Sequence, residues 1–159
     1  MRNIFAVLVI YFAVCNCSSS VKQTMEGDLS FKLVDAKFFE MPDSVLVNLE
    51  TKAKTGTYSN LTEQDKNTHK FLVFLTQNKL LRTPFVHLRR DNGEIAMVFL
   101  DTIDYNKLKD YSVHNLLNSN KKIRIRAEVA ALKFDSITVY KATKLLSVDI
   151  LQGMTYWRK

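Results

Sequence analysis

Few side chains in this sequence have the chemistry for catalysis, metal binding or covalent modification. Its 159 residues hold three histidines, His69, His87 and His114. No two stand four residues apart as a helical ligand pair would, and no His-Glu-x-x-His or calcium-type loop is present. They read as surface or packed histidines, and no metal is expected. Glu26, Asp28, Asp35 and Glu40 lie close together early in the chain. Paired carboxylates can act as acid and base, but nothing in this spacing singles out a pair. A Gly-x-Ser-x-Gly elbow is absent, and four glycines are too few to build a phosphate-cradling loop. The expectation is a protein that is not an enzyme and needs no cofactor. Lys121, Lys122, Arg124 and Arg126 form a basic ridge, with Arg89 and Arg90 as candidate neighbours. Such a ridge can track an anionic polymer. It carries none of the aromatic side chains on which bases stack, and a polar sheet face at an edge is the preferred reading. The remaining reactive groups are two thiols, Cys15 and Cys17.

Those thiols follow an apolar run. Met1-Arg2-Asn3 is a short basic start, residues 4–14 are all apolar, and Cys15-Asn16-Cys17-Ser18-Ser19-Ser20 comes next. As a helix the run rises about 16 Å, against about 30 Å for a bilayer core. It is therefore expected to be a secretory signal and not a span. The segment from Phe12 to Ser20 resembles the end of a bacterial lipoprotein signal of the looser kind found in the Bacteroidetes. In that class the first mature residue is a cysteine, diacylated on sulphur and acylated on nitrogen. The resemblance implies residues 1–16 as signal peptide and Cys17 as the lipidated residue, with Cys15 the alternative. Residues 17–28 are expected as a lipidated tether, because the triple serine and its polar continuation suit a flexible spacer. The chain beyond Cys17 has no cysteine, so no disulfide or cysteine nucleophile is expected there.

Residues 29–159 are expected to form a single domain, since about 130 residues suffice for one core. Alternation over 29–39 predicts a first strand with a bend near Val34. Pro42-Asp43-Ser44 opens a predicted helix with Leu46, Leu49 and Ala53 on one stripe, closed by Gly56. Thr62 with Asp65 has capping-box form and opens a second helix to about Asn78. Asp91-Asn92-Gly93 between β-rich runs predicts a hairpin. Residues 104–118 suggest short helical pieces. Residues 121–132 alternate, with Ile123, Ile125, Ala127, Val129 and Ala131 on one face, and residues 137–150 read as a last long strand. The aromatic tail is expected to pack Trp157 on the domain edge. The order is α+β, with a mainly antiparallel sheet and two helices packed on it. The alternative is a partly open OB-like barrel, which the order of elements over 84–151 loosely resembles.

The 23 Lys and Arg against 16 Asp and Glu give a net charge of +7. At an envelope surface this suits anionic headgroups better than nucleic acid, which is not expected as a partner. Asp43-Ser44-Val45, Asp101-Thr102-Ile103 and Asp135-Ser136-Ile137 resemble the Asp-Ser/Thr-apolar sites that carry O-glycans in exported Bacteroidetes proteins. That resemblance implies Ser44, Thr102 and Ser136 as candidates, although the same pairs are ordinary caps and turns. Asn60-Leu61-Thr62 has the form of an N-glycan acceptor, which has meaning only in a eukaryotic host. The expectation is a small lipoprotein of a bacterial envelope. It is anchored to the bilayer through acylated Cys17, with the outer membrane favoured over the inner, and binds or scaffolds an envelope protein or glycan. The alternatives are a secreted protein, an immunity-type toxin inhibitor, an OB-like binder of anionic polymer and, last, an envelope hydrolase.

Overall fold

The computed structural model describes residues 22–30, 38–56, 62–111 and 121–152. The expected signal segment (residues 1–16, with Cys15), Cys17, Asp35, His114 and Trp157 lie outside them. Strands β1 (Lys22–Ser30), β2 (Phe85–Arg89), β3 (Ile95–Phe99), β4 (Lys121–Phe134) and β5 (Ile137–Gln152) are joined by helices α1 (Asp43–Thr55), α2 (Glu63–Gln77) and α3 (Thr102–Asn106). The strands close into a barrel in the order β1-β2-β3-β5-β4. All neighbours are antiparallel except β3 and β5, where Val98 lies parallel beside Tyr140. The architecture is α+β on an OB-like barrel. The mainly antiparallel open sheet is corrected to a mixed one, and the partly open barrel to a closed one.

Closure follows from two long, bent strands. β4 and β5 run 14 and 16 residues, and the register slips between Arg126 and Ala127 and again between Glu128 and Val129. Such bulges add local twist and bend the strand. The extra residues lie on β5, so the alternation of β4 continues to its end. Ile123, Ile125, Ala127 and Val129 are fully buried, Ala131 of the same face is exposed near the strand end, and Leu132 of the outward face meets the outer core. Followed once round the barrel, the registers displace the chain by about ten residues, so the strands tilt steeply and a core of five suffices.

The first strand begins at Lys22, well before the predicted start at 29, so residues 22–28 belong to the barrel and not to a tether. Met25 and Leu29 enter the core. Between them Gly27 permits β2 to approach: a Cβ there would lie 2.9 Å from the Arg89 carbonyl oxygen and 3.1 Å from Leu88 Cβ. Because β1 is antiparallel to both β2 and β4, its start lies toward the ends of those strands. The β2–β3 and β4–β5 turns therefore share one end of the barrel with Lys22.

Two cores result. The barrel interior holds Leu88, Val98, Ile123, Ile125 and Val129, with Leu108 from the segment after α3 and partly buried Tyr105 and Tyr111 against them. The second core lies outside the barrel. Leu46 of α1 and Leu72 and Leu75 of α2 pack with Leu80 and Leu81 on Phe99 and Val139. The predicted helices form here for the predicted reasons. Thr62 and Asp65 make the capping box, and Gly56 closes α1, its N–H donating to the Lys52 carbonyl. The Asn92-Gly93 turn differs in detail. Only Gly93 has positive φ (85°), Gly93 N donates to Arg90 O, and Arg90 N donates to Glu94 O. This is a longer loop with glycine in the left-handed position, not a two-residue turn with both central residues there. Among the described residues no helix is long and apolar enough to cross a membrane.

Candidate functional site on the outer face of the barrel

The basic ridge is built by β4. With Ile123, Ile125 and Ala127 facing the core, Lys122, Arg124 and Arg126 project outward, and Lys121 stands at the strand start. The neighbouring strand brings opposite charge. β1 sets Asp28 beside Arg124 and Glu26 beside Arg126. Arg124 Nε donates to Glu26 Oε1 at 2.5 Å, and Nη2 donates to both oxygens of Asp91, in the β2–β3 turn, at 2.9 Å each. Nη1 lies 3.7 Å from Asp28 Oδ1, and Lys122 Nζ pairs with Asp28 Oδ2. The hydrogen bonds Arg124 donates to Glu26, then to Asp91, hold its pKa above the ordinary value. Asp28 is only 6% exposed. Its Oδ1 makes no hydrogen bond, so its charge depends on these two cations.

Two of the four ridge residues are thus occupied by carboxylates of the same chain. Lys121 and Arg126 make no ion pair with another described residue. The arrangement predicts a contrast in stability. Arg124→Gln strands a nearly buried Asp28 with one partner and should cost about 1–3 kcal/mol. Asp91→Asn, at an exposed turn, should cost less than about 1 kcal/mol. Urea denaturation of the two variants measures both.

In OB folds the face of strands 2 and 3 commonly takes the ligand. Here that face is filled. Phe85, Met97 and Phe99 point outward into the second core under α1 and α2. His87 lies on the same side, buried, with its ring edge-on to Phe85 at 5.5 Å. His69 sits on α2 close to Gly56, where a Cβ would meet its Nε2 at 2.6 Å. The two described histidines are therefore in separate packed settings. No group of three or more His, Cys, Asp or Glu that would hold a metal occurs among the described residues. A cleft of about 280 Å³ opens between residues 82–84, 100–102 and 141–142. Its Arg82 is committed to Asp43 and Glu50. Of the early carboxylates, Glu26 and Asp28 meet at the Arg124 cluster, while Glu40 sits apart in a 3-10 turn (Phe38–Glu40).

Ser44, Thr102 and Ser136 are all exposed, at the start of α1, the start of α3 and the β4–β5 turn. Their preceding aspartates have local duties. Asp101 caps α3 by accepting from Asp104 N at 2.7 Å, Asp43 pairs with Arg82, and Asp135 takes a φ of 49° in the turn.

Sequence reasoning missed one feature. Residues 143–152 of β5 pair with β4 on one side and with no described strand on the other. Leu146, Ile150 and Leu151 are exposed there. Leu146 is the extra residue between Leu145 and Ser147, which oppose Ala127 and Arg126, and the bulge turns it out.

Comparisons with protein families, with curated proteins and with solved structures find no match.

Proposed function

We propose that this chain is a lipid-anchored protein of a bacterial envelope whose OB-like barrel serves, without catalysis, as a binding or scaffolding domain for another envelope protein. The carrying observation is the open edge of β5. No described strand pairs with the main chain beside Leu146 and Leu151 on that side, and such an edge is where an extended partner segment adds to a sheet. The anchor rests on Cys17 and the apolar run before it. An immunity-type inhibitor would use the same edge and differ only in its partner. Binding of an anionic polymer is the second reading. The OB-like barrel and the unpaired Lys121 and Arg126 favour it; the filled face of β2 and β3 and the neutralised Arg124 weigh against it.

The anchor is tested by intact mass spectrometry of the mature chain from its native membrane. The expected mass begins at Cys17 and includes acyl chains. An unlipidated mass beginning near Asn16 or Val21 would replace the anchored reading with a secreted one.

A further inference from the structure

One end of the barrel is both apolar and basic. Ile95 and Ile137 are the first residues of β3 and β5. They share the parity of Met97, Phe99 and Val139, which face outward into the second core, and lie at its edge, where Phe134 opposite Ile137 packs on Phe71 and Phe74 of α2. They are 41% and 51% exposed. Continued back from Val98 beside Tyr140, the β3–β5 register sets Ile95 level with Ile137, so the two form one patch on neighbouring strands. Lys22, Arg89 and Lys133, all exposed, stand at the same end and make no ion pair with another described residue. The acidic groups of the β2–β3 turn are engaged, Asp91 with Arg124 and Glu94 with Arg90. Asp135, in the β4–β5 turn, makes no ion pair with another described residue.

We propose that this end docks on the headgroup region of an anionic bilayer, with Ile95 and Ile137 inserted and Lys22, Arg89 and Lys133 on the lipid phosphates. The inference rests on the anchored reading above and assigns it a face. From Cys17 to Lys22 there are five residue steps, a reach of at most about 18 Å. An acyl group on Cys17 therefore holds the start of β1, and the two turns beside it, at the membrane. Apolar side chains ringed by cations are what an anionic interface accepts.

The test is lysine acetylation read by peptide mass spectrometry. The mature chain is reconstituted in vesicles of phosphatidylethanolamine with phosphatidylglycerol, and separately in pure phosphatidylcholine. Labelling of Lys22 and Lys133, relative to Lys52 and Lys54 on α1, is expected to fall at least about fivefold on the anionic vesicles. Ile137→Ser with Lys133→Glu, both at exposed positions, should restore the labelling of Lys22. Equal labelling of all four lysines on anionic vesicles overturns the docking. Equal protection on phosphatidylcholine overturns the part played by charge. Protection that rises with the number of chains per vesicle assigns the end to a second copy of the chain and also overturns it. A glycan found on Ser136 of the native protein, at the tip of this end, would do the same. The intact mass of the same sample reports acylation separately. If acyl chains are absent, the anchored reading fails alone, and labelling of the unanchored chain on the same vesicles still decides the face.

Discussion

Cys17→Ser is expected to abolish the acylated mature form and leave a precursor that still carries residues 1–16, whereas Cys15→Ser is expected to mature normally. The reason is the chemistry of the residue. A thiol can form the thioether on which the diacyl group is built, and a serine hydroxyl cannot take that place. In the lipoprotein class that the signal resembles, the modified cysteine is also the first mature residue, so loss of modification and loss of cleavage go together. The effect is close to all-or-none, because one chain alone gives only marginal membrane binding and several give stable attachment. The mass of the accumulated species and its partition between membrane and soluble fractions are the measurements. If both variants mature alike and are released, the chain is secreted. If Cys15→Ser is the one that stalls, the alternative cysteine carries the lipid.

The second large effect is expected inside the barrel. Gly27→Ala should destabilise the fold by about 1–3 kcal/mol, the range of overpacking substitutions, and Gly27→Val by more. The added Cβ meets the backbone oxygen of Arg89 at 2.9 Å, and backbone in a paired strand cannot step aside as the end of a long side chain can. Relief would require β1 to move away from β2, and β1 also carries the pairing to β4 that closes the barrel. Thr24→Val, on the exposed side of the same strand, is the control and should stay within about 0.5 kcal/mol. Thermal or urea unfolding of the three variants gives the order. A Gly27→Val protein as stable as the parent would show that this approach is not needed for closure.

Much of the fold could be read from neighbouring residues. Thr62 and Asp65 announce α2 because their bonds are three residues apart. Gly93 marks its turn, and the alternation from Ile123 to Val129 marks β4, for the same local reason. What escaped depends on distant partners. Gln23-Thr24-Met25-Glu26-Gly27-Asp28 looks like a polar spacer until Arg124, 98 residues beyond Glu26, supplies its counter-charge. The same distance hid the fate of the ridge, which reads as free cation and is half occupied. The parallel contact of Val98 with Tyr140 has no local signature either, and without it the sheet cannot be seen to close.

The pairing of β1 also governs the order in which the molecule can fold. Lys22 waits for Ala130 and Asp28 for Arg89, so the first strand to be synthesised is among the last to find its partners. Contacts this far apart in sequence must pay loop closure before they are rewarded, which places the barrel among slow-folding topologies. For an exported chain that delay is useful. On the proposed export reading, β1 has nothing to pair with until the rest has emerged, and a precursor would stay in the extended state that a translocation channel can thread.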